Sequence, residues 1–163
     1  MMTIQPLRDV RACLPFALAI NADPCLGDPM LRTAEQLQVN LLSAQDQPGH
    51  QAFGAYEGER LAGLFVFLIL PDERYIEMLA GLTREPAAWE AMLAHLRAQY
   101  SGCQADFVFN PMNAPLRNCL RAAGADFDPE QQKMKLTRAV DYRSPLQTSL
   151  YTPAYREQYA RMH

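Results

Sequence analysis

Hydrophobic and polar positions along this chain repeat with two periods, one near two residues and one near 3.6, and the switches between them mark the elements. Thr3-Ile4-Gln5-Pro6-Leu7 reads as a short opening strand. Residues 10–22 and 34–45 read as helices. The second begins at a capping box, Thr33-x-x-Gln36, ahead of Leu37, Leu41 and Leu42. Asp46-Gln47-Pro48-Gly49 breaks that pattern. Residues 51–57 and 61–70 predict two strands joined at Glu57-Gly58-Glu59-Arg60, the second apolar on both faces as a central strand is. Pro71-Asp72-Glu73-Arg74 then turns the chain into a third strand, Tyr75–Leu82, which completes an antiparallel meander.

Beyond the meander, Trp89, Met92, Leu93, Leu96 and Tyr100 recur at helical spacing behind Pro86, with Gly102 as a left-handed stop. Ala105–Phe109 predicts a strand. Asn113 caps a short helix with Leu116, Cys119, Leu120 and Ala123 on one face, ended by Gly124. Phe127 and Lys133–Thr137 read as the remaining β structure. The order is β, α, α, β, β, β, α, β, α, β, within one unit over residues 1–138. That order predicts an α/β (α+β) fold: a strongly twisted, mostly antiparallel mixed sheet with helices on both faces.

Composition narrows the chemistry. The 163 residues hold 15 Lys+Arg and 18 Asp+Glu, a formal charge of −3, which leaves no electrostatic footprint for nucleic acid. The longest apolar run, Leu61–Leu70, is too short to span a bilayer, so no membrane partner is expected. Arg8 and Arg11 ahead of Ala12–Ile20 mimic a signal peptide, but Asp9 and a poor cleavage context favour the cytoplasm. Cys13, Cys25, Cys103 and Cys119 are scattered and read as reduced thiols, with no metal site expected. Eight glycines are spread so that no G-x-G occurs, and Gly58-x-x-x-x-Gly63 is followed by Leu64-Phe65 rather than Lys-Ser/Thr. Dinucleotide and P-loop signatures are therefore excluded.

Element order, together with Asn110-Pro111-Met112-Asn113 followed by Leu116, Leu120 and Gly124-Ala125, resembles the Gcn5-related N-acetyltransferase superfamily over roughly residues 3–138. Asn113 and Gly124 match the family pattern in type and spacing, whereas Leu116 and Leu120 stand where Ala and Tyr are common. The later Met134-x-Leu136 agrees with it too. The resemblance implies acyl transfer from acetyl-CoA to an unidentified small-molecule or peptide amine. It implies a gap between the fourth and fifth strands, around Met78, Leu79 and Ala80 and around Phe107–Asn110, that takes the pantetheine arm. It implies a helix N-terminus that meets the pyrophosphate, with Arg84 as the basic residue and Ala87 and Ala88 in place of glycines. Asn110 and Asn113 would line the site. Glu77, midway along the fourth strand, is the candidate base, with Glu73 in the preceding turn as the alternative; two-residue alternation puts Glu77 on one face with Tyr75, Leu79 and Gly81.

The pyrophosphate loop departs from the pattern. Leu82–Glu90 contains no glycine, Pro86 lacks an amide donor, and Glu85 and Glu90 bring negative charge, each effect costing about 1–2 kcal/mol of phosphate binding. As plain structure the same residues make a helix start, with Thr83 or Glu85 as cap and Pro86 in first position. No general acid is evident, because Leu120 replaces Tyr, Cys119 has a core phase and Tyr100 lies on the apolar face. His50 sits in a loop and His95 on the polar side of its helix. Two functions therefore stay open: an N-acetyltransferase, or a non-catalytic binding or assembly domain of the same fold. Residues 139–163, with Tyr142, Tyr151, Tyr155 and Tyr159 and a helix start at Thr152-Pro153, read as a C-terminal extension or the entrance to a second unit. A homodimer or an intramolecular second domain is the corresponding assembly, with only one half of a tandem protein needing to keep the cofactor.

Overall fold

The computed structural model describes residues 2–31 and 33–129. The reading of Lys133–Thr137 as β structure, the 138/139 boundary and the Tyr-rich tail lie outside the described residues. Strands β1 (Met2–Pro6), β2 (His50–Glu57), β3 (Arg60–Leu70), β4 (Tyr75–Thr83) and β5 (Gln104–Phe107) form one sheet in the order β1-β2-β3-β4-β5. The first three pairings are antiparallel and the fourth, β4 with β5, is parallel. Helices α1 (Leu14–Asn21) and α2 (Ala34–Asp46) cover one face of the sheet, and α3 (Pro86–Gln99) and α4 (Ala114–Ala122) the other. This is the mixed, mostly antiparallel α/β architecture that the element order predicts.

Local chemistry explains most boundaries. The Thr33 hydroxyl accepts from the Gln36 N–H while the Gln36 side chain accepts from the Thr33 N–H, so both halves of the capping box form. Asn113 caps α4 through its carboxamide oxygen, which accepts from the Leu116 N–H at 3.1 Å. Gly102, at φ +84, supplies the left-handed residue after α3. Phe127 differs from expectation. It lies in irregular chain after α4, its ring against Phe109 and under the Arg121 guanidinium at 5.6 Å. His50 is likewise not in a loop but opens β2, with Nδ1 2.9 Å from the Ser43 hydroxyl.

Each face of the sheet carries its own core. Phe53, Phe65, Phe67, Ile76 and Met78 pack with Trp89, Met92 and Leu96 of α3 and with Leu116 and Leu120 of α4. Leu64, Val66, Ala80 and Leu82 pack with Ala17 and Ile20 of α1 and Leu37 and Leu41 of α2. β3 keeps one parity throughout: Phe65 and Phe67 face α3, Leu64 and Val66 face α2. β4 changes parity, because Ile76 and Met78 face α3 whereas Ala80 and Leu82 face α2. The cause is a β-bulge: Val66 pairs with Ala80 and Phe67 with Met78, which leaves Leu79 as an extra residue.

The bulge corrects the expected alternation. Tyr75 and Glu77 share the α1/α2 face with Leu79, but Gly81 falls on the opposite face under Trp89. A Cβ on Gly81 would come within 3 Å of both the indole and the Met78 sulfur, so Trp89 requires glycine there. Gly81→Ala is expected to destabilise the fold by about 1–3 kcal/mol, measured as a shift in urea midpoint without a change in slope.

His95 also departs from its expected polar surroundings. Its ring packs on Phe53 at 5.2 Å between centroids, and burial pushes the imidazole pKa below the ordinary 6.5. Protonation therefore favours the unfolded chain. The stability held by neutral His95 is complete above the ordinary pKa and declines as pH falls through it. Melting temperatures measured at about pH 7.5 and about pH 5.5 should separate more for the native sequence than for His95→Gln.

Candidate functional site

The sheet opens between β4 and β5. Pairing runs from Tyr75↔Gln104 to Met78↔Phe107 and stops, while β4 continues through Thr83 bonded to β3 alone. Five residues of β4, Leu79–Thr83, thus have no β5 partner, and the parting begins at the bulge. A strand edge of this kind offers backbone donors and acceptors to an extended ligand much as it would to another strand. The expected gap around Met78, Leu79 and Ala80 on one side and Phe107–Asn110 on the other exists as a parting of strands.

Glu77 stands one residue before the last pair. Its register partner across β5 is Asp106, and across β3 it is Leu68. The Tyr75 hydroxyl donates to Asp106 Oδ2 at 3.2 Å, and Gln104 Nε2 donates to Asp106 Oδ1 at 3.0 Å. Burial raises the Tyr75 pKa above its ordinary value, and the charges of Glu77 and Asp106 raise it further. The result is a polar row at the root of the gap: Tyr75, Glu77 and Asp106 on the α1/α2 face, with Glu77 half-buried.

Asn40 completes this end of the site. From α2 its Nδ2 donates to the Leu79 carbonyl at 3.2 Å, at the bulge itself. Its Oδ1 is buried with no hydrogen-bond partner among the described residues. A buried acceptor without a donor is costly, and this one belongs to the residue that holds the bulge carbonyl. Asn40 and Asp106 carry no motif; the register of the parallel pair sets Asp106 opposite Glu77, and the placement of α2 sets Asn40 at the Leu79 carbonyl.

At the other end of the gap, the start of α3 is engaged internally. Arg84 donates through Nη2 to the Ala19 carbonyl at 3.2 Å and lies 3.9 Å from Asp23, holding the end of α1. Thr83 donates its hydroxyl to the Ala62 carbonyl at 2.6 Å and accepts from the Glu85 N–H at 3.0 Å. Glu85 sits at the N-cap without a side-chain capping bond, and its carboxylate pairs with Arg60 at 2.6 Å. Arg60 also pairs with Glu57. In the first turn Pro86 has no N–H, and the Ala88 N–H goes to the Glu85 carbonyl at 3.0 Å. Ala88 itself is fully buried. Among the first three residues only the exposed Ala87 presents an amide with no partner among the described residues.

Asn110 and Asn113 flank the far side. Asn110 donates from Nδ2 to the Pro24 carbonyl at 2.8 Å and accepts from the Met112 N–H at 2.9 Å, tying the β5–α4 loop to the α1–α2 loop. A cavity of about 390 Å3 lies at that junction, lined by Asn21, Asp23, Asp28, Leu31, Asn110 and Pro111. Leu120, where a tyrosine acid is common, is buried in the core. The Cys119 thiol lies 3.8 Å from the Pro86 carbonyl, and burial, with Glu90 second, pushes its pKa up. Tyr100 directs its hydroxyl to Gln51 at 3.2 Å. Among the described residues no cluster of metal-ligating side chains occurs, and no helix is long and apolar enough to cross a membrane.

Solved structures of acetyltransferases share this fold at low sequence identity. The ribosomal-protein-alanine N-acetyltransferase of Brucella melitensis biovar Abortus 2308 matches 83% of this chain and 99% of its own at a TM-score of 0.57 and 14% identity. A predicted acetyltransferase from Clostridium acetobutylicum, solved with acetyl-CoA, matches over 83% and 96% at 0.55 and 12% identity. A possible acetyltransferase from Clostridium difficile 630 matches over 85% and 99% at 0.55 and 9% identity. No family profile and no curated protein matches the sequence. The fold is that of the Gcn5-related N-acetyltransferases.

The buried Asn113 carboxamide caps α4, so its loss should lower stability. Asn113→Ala is expected to cost about 1–2 kcal/mol and Asn113→Asp well under half of that, read by chemical denaturation.

Proposed function

We propose that this domain is an N-acyltransferase that accepts the pantetheine arm of acetyl-CoA in the β4–β5 gap and passes its acyl group to an amine. The observation that carries the reading is the parting of β4 from β5 at the Leu79 bulge, with Glu77 at its root and the unfilled Asn40 acceptor beside it. The free edge of β4 suits an extended arm bearing amides. A bound thioester supplies an electrophilic carbonyl carbon. Glu77 takes a proton from the incoming amine, directly or through water, and the neighbouring Asp106 carboxylate keeps the surroundings favourable to the cationic form of that amine. Asn40 orients the Leu79 backbone that faces the arm. The C–S bond breaks as the amide bond forms, and the departing thiolate takes its proton from water.

A second reading, a non-catalytic domain of the same fold, is favoured by the packing of Leu120 into the core where an acid would stand. Two measurements separate the readings. Under the transferase reading, millimolar acetyl-CoA raises the melting temperature, since ligand at about 100 times its dissociation constant adds about 2.7 kcal/mol. Glu77→Gln should keep that stabilisation while thiol release with a panel of primary amines falls about 10²–10⁴-fold. No stabilisation at millimolar ligand would leave the non-catalytic reading in place, and unaltered turnover across pH would remove Glu77 as the base.

A further inference from the structure

The two ends of the gap make unequal demands on a donor, and the inference drawn from this rests on the transferase reading above. The thioester end has an open strand edge and the unfilled Asn40 Oδ1. At the phosphate end the groups that would meet a pyrophosphate already serve the protein. Arg84 holds the Ala19 carbonyl and Asp23. Thr83 is bonded twice, to the Ala62 carbonyl and the Glu85 N–H. The Ala88 amide closes on Glu85, and Pro86 has none to give. Glu85 stands at the N-cap and pairs with Arg60, and Asp23 lies 3.9 Å from Arg84. A helix N-terminus attracts anions through free amides and its dipole. Among the described residues, Ala87 alone of the first three presents an amide with no partner, beside the N-cap carboxylate of Glu85. These groups do not make a pyrophosphate site, whereas the edge of β4 beyond Met78 leaves main-chain groups without a β5 partner.

We infer that the domain recognises its donor by the acyl-pantetheine arm alone and gains nothing from the nucleotide diphosphate of CoA. Its donor class is the acyl-pantetheine thioester, whatever that arm is attached to. The role of Arg84 is to fasten α1 to the end of β4, not to hold phosphate.

Isothermal titration of the full chain with acetyl-CoA and with acetyl-pantetheine, which lacks the pyrophosphate and the 3′-phosphoadenosine, tests this. Dissociation constants within about fivefold of each other support the inference, and acetyl-CoA tighter by more than about fivefold overturns it while leaving the transferase reading intact. Heat from neither ligand overturns both. A gain-of-function pair gives an independent check: Pro86→Ala restores an amide and Glu85→Gln removes a charge. The double variant should bind acetyl-CoA more tightly by about fivefold or more with acetyl-pantetheine unaffected. Equal change for both ligands would show that the α3 turn does not face the phosphates and would overturn the assignment.

Discussion

The extra residue at Leu79 is the feature on which the site depends. A bulge leaves one residue unpaired, bends its strand and increases local twist. In β4 it does three things at once. It transfers the side chains after it to the opposite face, so that Ala80 and Leu82 enter the α1/α2 core while Ile76 and Met78 remain with α3. It marks the point where β5 stops following β4, one residue after the Met78↔Phe107 pair. It also presents the Leu79 carbonyl to Asn40, so that a helix on one face senses the strand edge between the layers. Without the shift, β4 would carry one hydrophobic face and one polar face along its length, and Glu77 and Gly81 would point the same way.

The beginning of α3 shows a second use of familiar chemistry. Helix C-termini attract cations and helix N-termini attract anions. Arg84 answers the first demand at the end of α1, binding the Ala19 carbonyl, and Arg60 neutralises Glu85 at the second. These contacts are exposed, so solvent screening keeps each one weak. Their importance is geometric: they occupy donors and charge that a ligand would otherwise meet. The turn that caps the gap has become a joint between α1, β3 and α3, while the inner part of the gap keeps its open edge.

The sequence carried most of the fold in legible form. Spacing showed the elements from β1 through α4, and cap chemistry fixed α2 at Thr33 and α4 at Asn113 within a residue, because these signals act over three or four positions. Phe127 misled, since an aromatic between polar residues reads as strand although here it packs on Phe109 and Arg121. His95 misled for a similar reason, because helical phase alone does not show that Phe53 from β2 reaches it. Gly81 was the consequential error, as strict alternation has no way to register an inserted residue.

The candidate site divides along the same line. Glu77 and Arg84 came into view through the family resemblance and their places in the predicted strand and turn, whereas the lack of glycine and the missing amide of Pro86 are properties of the sequence itself. Asp106 and Asn40 could not be picked out, since one meets Glu77 through parallel pairing between strands separated by a whole helix, and the other meets the Leu79 carbonyl through the docking of α2. Local propensity, capping and turn chemistry are written in neighbouring residues, and the sequence therefore determined which elements form and which turn is poor in phosphate donors. Strand register, the bulge and the partners of Arg84 come from long-range packing that has no local code. Only the tertiary structure could decide that the sheet opens at Leu79, and that the basic residue beside the opening is already bound to α1.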